Sequence, residues 1–207
     1  MEYPDIAQKI IERKILDDAL RQKLIDNHQL GDGYNAEMEK LHIENAWFLN
    51  EIIDNIGYPT IHKVGEKANH AAWIIIQHAI SLPNFMRKCA QLLEIELPNH
   101  KEEWKHFAYL TDRIAVFEGK AQLYGCCFDW DENGLLSASL LDDVFLVNQR
   151  RKSIGLNSIE EQTEIIRNRA LTENHFPPKN LDQRKKEYDD WRTKVGWIPK
   201  KIRNKAR

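Results

Sequence analysis

Proton transfer and anion binding need imidazoles, carboxylates, guanidinium groups and amides held together, and this chain places such groups where apolar residues would otherwise be expected. The clearest case is "AAWIIIQHAI", residues 71–80, in which Gln77 and His78 follow six apolar residues. On a helix, a step of about 100° per residue puts His78 on the row of Ala71, Ile74 and Leu82, and Gln77 beside Trp73. Both share faces with core residues. A buried imidazole or amide is costly unless it is hydrogen-bonded, so each calls for a polar partner. In "YLTDRIAVFEG", Asp112 and Arg113 are adjacent charges on another helix, one of them drawn inward. They form either an ordinary ion pair or an anion clamp whose aspartate orients a histidine. Asn45 likewise interrupts the apolar row of Leu41, Leu49 and Ile52.

The remaining reactive types carry less. Cys126 or Cys127 could serve as a nucleophile with His78, but nothing electropositive in the sequence would lower a thiol pKa. The histidines at 42, 62, 70, 78, 100 and 106 form no HExxH or comparable pattern, so no metal is expected and the cofactor is left unknown. Three cysteines, two of them adjacent, suit neither a disulfide framework nor spaced zinc ligands. They point to a reducing, cytoplasmic setting.

A chain of 207 residues with 42% hydrophobic and 30% charged side chains is neither disordered nor fibrous, and it can bury roughly two thirds of its unfolded surface. The net charge of −2 hides an asymmetry. Residues 194–207 carry Lys194, Lys200, Lys201, Arg203, Lys205 and Arg207 without an acid, which leaves the body at −8. Nucleic acid is therefore expected only through that basic tail. The N-terminus has no apolar signal region, and no run approaches the length of a membrane span, so no membrane is expected.

Helical periodicity dominates the elements that must position these groups. Ile6, Ile10, Ile11, Ile15, Ala19, Leu20 and Leu24 predict an amphipathic helix over 5–26, ended by "GDGYN". A second helix is predicted over 36–56, capped by Asn35 and followed by Gly57. A third runs over 66–82 and a fourth through "NFMRKCAQLLEI". A fifth starts from an Asn99/Glu102 capping box and runs to Gly119. Then "QLYGCCFDWDENGLLSASLL" predicts strands over 122–129 and 135–140 around an Asn133-Gly134 turn, with Gln122, Tyr124, Cys126 and Phe128 on one face. A short helix closed by Gly155 follows, then one capped by Ser158 and Glu161, then a charged helix over 181–195. The expected fold is a mainly α, single-domain helical bundle over 1–176, with the hairpin near 122–140 and a charged helical C-terminal arm over 177–207.

The set "GYPTIHKVG", "AAWIIIQHA", "AYLTDRIAVFEGKAQLYG" and "VNQRRKSIGL" resembles an uncharacterised bacterial domain family. Its pattern runs Gly-Trp-Pro, Val-Gly, Ala-Ala-Trp ending in Gln-His-Ala-Asp, Ala-Tyr-Leu-x-Asp-Arg, Gly-x-x-Gln-x-Tyr-Gly-Thr-Gln and Arg-Arg-x-x-x-Gly-Leu. The resemblance spans about residues 39–168. It carries over Gly57, Pro59, Gly65, Trp73, Gln77, His78, Asp112, Arg113, Gly119, Gln122, Tyr124, Gly125, Arg150, Arg151 and Gly155. Two departures stand out: Ile80 replaces the family's aspartate, and Cys126 and Cys127 replace its Thr-Gln.

Together these residues predict a polar pocket between helices that gathers Asn45, Gln77, His78, Asp112, Arg113 and Gln122. The first functional expectation is a small-ligand-binding domain, a hydrolase or transferase for a small anionic, phosphorylated or nucleotide-like substrate. His78 and Asp112 would be catalytic, and Asn45, Gln77, Arg113, Gln122, Tyr124, Arg150 and Arg151 would bind substrate. The second is a helical protein-interaction module of immunity or adaptor type, in which the same cluster fixes helix register.

Overall fold

Local signals set many of the helix ends in the computed structural model, which describes residues 1–29 and 33–200. The order is α1 (Pro4–Asp26), α2 (Ala36–Ile56), α3 (Ile61–Val64), α4 (Glu66–His78), α5 (Pro83–Glu96), a 3-10 turn (Lys101–Glu103), α6 (Trp104–Glu118), β1 (Phe128–Trp130), β2 (Leu136–Ala138), α7 (Val144–Ser153), α8 (Ile159–Thr172) and α9 (Leu181–Val195). The chain is mainly α, with one antiparallel hairpin among the described residues, as the periodicity predicts. Asn35 caps α2 by accepting the amides of Glu37 and Met38, and Gly57 follows its last turn. Ser158 and Glu161 close the capping box of α8. The expected Asn99/Glu102 box does not form: Glu102 turns to the His100 ring at 3.2 Å, and a 3-10 turn leads into α6. The end of the basic tail and most of the "GDG" turn lie outside the described residues.

The chain divides into two compact units, residues 1–107 and residues from 108 onward. In the first, α1, α2 and α4 pack against one another, with α3 and α5 beside α4. Leu49, Ala72, Ile75, Ile76, Met86 and Leu93 are fully buried there. α4 stops at His78 rather than Leu82. Pro83 opens α5 at its first helical position, and Leu82 before it, at φ −123° and ψ 72°, is out of the helical region that the proline ring disfavours there. The inner row of α1 also differs from expectation: Ala7, Ile10, Asp17 and Leu24 are buried, while Ile15 is 56% exposed. A carboxylate thus faces the helix seam.

In the second unit the strands are shorter than predicted, with Phe128, Asp129 and Trp130 paired to Ala138, Ser137 and Leu136. The amides of residues 123–127 are not available to a ladder, because side chains take most of them, as described below. The turn is also longer than two residues. Asp131 accepts the amides of Asn133 and Leu135, and Gly134 adopts a φ of +70°. α9, the expected charged arm, is tied to this unit: Arg192 donates to the Phe117 carbonyl at 3.0 Å, and Trp197 is buried and stacked on Phe117. Among the described residues no helix is long and apolar enough to cross a membrane.

Candidate functional site

Three helices of the first unit each supply one residue to a buried polar centre. Asp17 comes from the middle of α1, His42 from the buried row Met38, Asn45, Ala46 and Leu49 of α2, and His78 from the last position of α4. Asp17 divides its carboxylate between the imidazoles. Its Oδ1 lies 3.1 Å from His42 Nε2 and its Oδ2 lies 2.6 Å from His78 Nδ1. The two rings stand 4.7 Å apart between centroids, tilted by 37°. On the far side of His42, Nδ1 meets the Tyr34 hydroxyl at 2.6 Å, and that hydroxyl also donates to the His78 carbonyl at 3.3 Å. Ser81, in the turn after α4, donates to Glu39 at 2.5 Å and ties that turn to the first turns of α2.

Burial works against charge on Asp17, yet the hydrogen bonds and charges of His42 and His78 outweigh it and hold the carboxyl far below its usual range. The carboxylate is therefore ionised and can only accept. Burial, with the negative charges of Glu39 and Asp17, pushes the Tyr34 phenol well up, so it remains a neutral hydroxyl. Exposure differs across the centre: the Asp17 and His42 side chains are closed off at 2% and 8%, whereas His78 is 33% exposed. The centre reaches solvent at His78.

The residues expected to surround His78 are placed differently. The carboxylate on His78 is Asp17, not Asp112. Asp112 is itself buried and gives its oxygens to the amides of Leu123 at 2.8 Å, Tyr124 at 3.2 and 3.1 Å, and Cys126 at 2.9 Å. Burial raises its pKa against the pull of those amides. Gln122 is equally committed, donating to the carbonyls of Cys127 and Ser139 and accepting the Cys127 amide at 2.7 Å. Arg151 is buried and donates to the carbonyls of Tyr124 and Asn157, at 2.7 and 2.6 Å, and to the Asn157 side chain. Arg150 pairs with Asp142 at 2.8 Å and reaches the Leu123 carbonyl. Tyr124 is buried with its amide and carbonyl in this network. Asp112, Gln122, Tyr124, Arg150 and Arg151 thus do come together, as a clamp on the backbone before the hairpin. Arg113 is half-buried, and its charge acts on the Cys127 thiol. In the first unit Gln77 is buried on α4, and Asn45 is buried one turn beyond His42, its amide 3.5 Å from the Arg13 carbonyl.

Neither cysteine of the pair is a thiolate. Burial, reinforced by Asp112, pushes the Cys126 thiol far up, and burial raises that of Cys127 to about 11. Sequence reasoning missed Asp17, His42 and Tyr34. Asp17 had a signal, because it lies seven residues from both Ile10 and Leu24 and so shares their buried row. His42 had a comparable signal, four residues from Met38 and seven from Leu49 on the buried row of α2.

Fold and site together define a mainly helical protein with a carboxylate buried between two imidazoles at the seam of three helices. The chain belongs to a family of unknown function, DUF6624, whose profile matches residues 4–172. The match includes the whole Asp17, His42 and His78 centre and the Asp112 clamp; α9 lies beyond it. No curated protein and no solved structure matches the chain.

Proposed function

We propose that the chain is a small-ligand-binding domain whose reactive centre is the Asp17, His42 and His78 group, and that hydrolysis or group transfer on a small anionic substrate is its reaction class. One observation carries this reading: a fully buried carboxylate holds two imidazoles from different helices, and one of the two is partly open to solvent. An orienting carboxylate fixes the position of each ring, which is what acid–base work asks of the pair. The arginines of the second unit do not supply a ready clamp, since Arg150 and Arg151 are spent on carbonyls, Asn157 and Asp142.

The test is a thermal-shift screen of the full chain against inorganic phosphate, nucleotides and sugar phosphates. A ligand at about 100 times its Kd stabilises by roughly 2.7 kcal/mol, a shift of about 5–10 °C for a chain of this size. The shift is expected in the native chain and lost in His78→Ala with its helical circular dichroism intact. A ligand that binds His78→Ala as well as the native chain overturns the proposal. No ligand shift, with unfolding by both His78→Ala and Asp17→Asn, would instead favour the interaction-module reading, in which the centre locks helix register.

A further inference from the structure

We infer that Asp17, His42 and His78 hold a divalent transition-metal ion of the zinc class, with a coordination position open on the His78 side; this rests on the reading of that group as the reactive centre and names the ion it takes. The donor set comes first. Among the described residues, the ligand atoms of these three side chains all lie within 4.8 Å of one another. Two imidazole nitrogens and one carboxylate suit zinc, cobalt or a neighbouring first-row ion, whereas calcium and magnesium favour oxygen ligands throughout. Metal–ligand distances of about 2.0–2.2 Å place neighbouring ligand atoms roughly 3.3–3.5 Å apart in a tetrahedral site. The 3.1 Å and 2.6 Å separations at Asp17 need an outward shift of under about 1 Å to reach that spacing.

Tyr34 supports the same reading from the outer side. Its hydroxyl lies 2.6 Å from His42 Nδ1, on the far side of the ring from Asp17, and Nε2 faces Asp17 Oδ1 at 3.1 Å. A ring held at one nitrogen by an outer hydrogen bond while its other nitrogen faces a metal is the usual arrangement of ligating histidines.

Three protein ligands leave a fourth position for water or substrate, and the exposure of His78 puts that position toward solvent. A dipositive ion with one carboxylate leaves the centre at a net charge of +1. That sign matches an anionic ligand without help from an arginine.

The experiment uses the full chain without a histidine tag, stripped by chelation and dialysed. Zinc is titrated by calorimetry and cobalt by its visible absorption. One ion per chain is expected, and cobalt should give the intense d–d bands of a four- or five-coordinate site with nitrogen ligands. His42→Ala and His78→Ala should abolish those bands, and Tyr34→Phe should weaken zinc binding about 10-fold by freeing the His42 ring. The Tyr34 variant keeps all three ligands, and native-chain cobalt spectra need no variant, so a folding failure in one histidine variant leaves the test intact. Absence of zinc binding by the native chain, or cobalt bands unchanged in both histidine variants, overturns the inference. If anion binding still depends on His78 while no metal binds, the ion falls and the centre stands. If the ion binds and no anion does, the ion stands and the proposed reaction falls.

Discussion

Replacing Asp112 with alanine should cost the second unit about 3–5 kcal/mol, and the figure follows from what the carboxylate holds. Asp112 accepts from three backbone amides, those of Leu123, Tyr124 and Cys126, at 2.8–3.2 Å. A buried amide left without an acceptor costs about 1–3 kcal/mol, so three would approach 6 kcal/mol with some access to water. Against this, the variant no longer buries a carboxylate whose raised pKa reports the strain of desolvation, which returns part of the loss. At about 2–4 °C per kcal/mol, the melting temperature should fall by roughly 6–20 °C. Asp112→Asn keeps one carbonyl oxygen but turns an amide nitrogen toward an N–H, so it should lie between the two. The assay is calorimetric melting combined with hydrogen exchange at residues 123, 124 and 126, whose amides should lose protection first. If Asp112→Ala melts within about 2 °C of the native chain and those amides stay protected, the clamp carries no net stability. The carboxylate would then need another role.

The same segment yields two further expectations. Cys126 and Cys127 should resist iodoacetamide at pH 7.5 in the folded chain, because burial and the Asp112 charge keep both thiols protonated, Cys127 to about 11; complete labelling before any loss of helical signal would contradict this. Gly125→Ala should destabilise by about 1–3 kcal/mol, since Gly125 has a φ of +65° and an added Cβ would stand 2.6 Å from Ile159 Cδ1. Adding Ile159→Val, which removes that methyl group, should recover part of the loss in urea unfolding; no recovery would place the whole cost in the backbone.

Where the sequence could be read, the deciding signal was local. The ends of α2 follow from Asn35 and Gly57, the start of α8 from Ser158 and Glu161, and α9 begins one residue after Asn180, whose side chain accepts the Gln183 amide. The predicted strand over 122–129 failed because its amides are taken by a carboxylate ten or more residues upstream, and nothing within the strand announces that. The first helix misled in another way: it carries Ile6, Ile10, Ile11 and Ile15 around much of its circumference, so apolar counting could not choose the buried row. The Ala7, Ile10, Asp17 and Leu24 row was visible only if an acid was allowed on it. His78 was recognisable as polar in an apolar setting, but its partners lie 61 and 36 positions away. Spacing in a single sequence does not couple residues at that range.

The Asp112 clamp and the Asp17 centre differ in how their cost is met, and that difference bears on role. At the Asp112 clamp nearly every donor and acceptor is matched within the network, and the partners are backbone groups that would otherwise be unpaired; its members stabilise a loop that cannot form a ladder. The Asp17 centre is matched by side chains instead, the two imidazoles outweighing the burial of the carboxylate. It buries a charge between two imidazoles, at a seam where Leu24, Leu49 and Ile76 show that apolar residues pack fully. Replacing a buried ionic group by apolar residues of similar volume is often neutral or stabilising, so such a group is weak evidence of a stabilising role. It also leaves one imidazole partly open to solvent, which a pure register lock does not require. A centre ordered by an outer hydroxyl and open at one ring therefore favours the proposed binding role over a register lock.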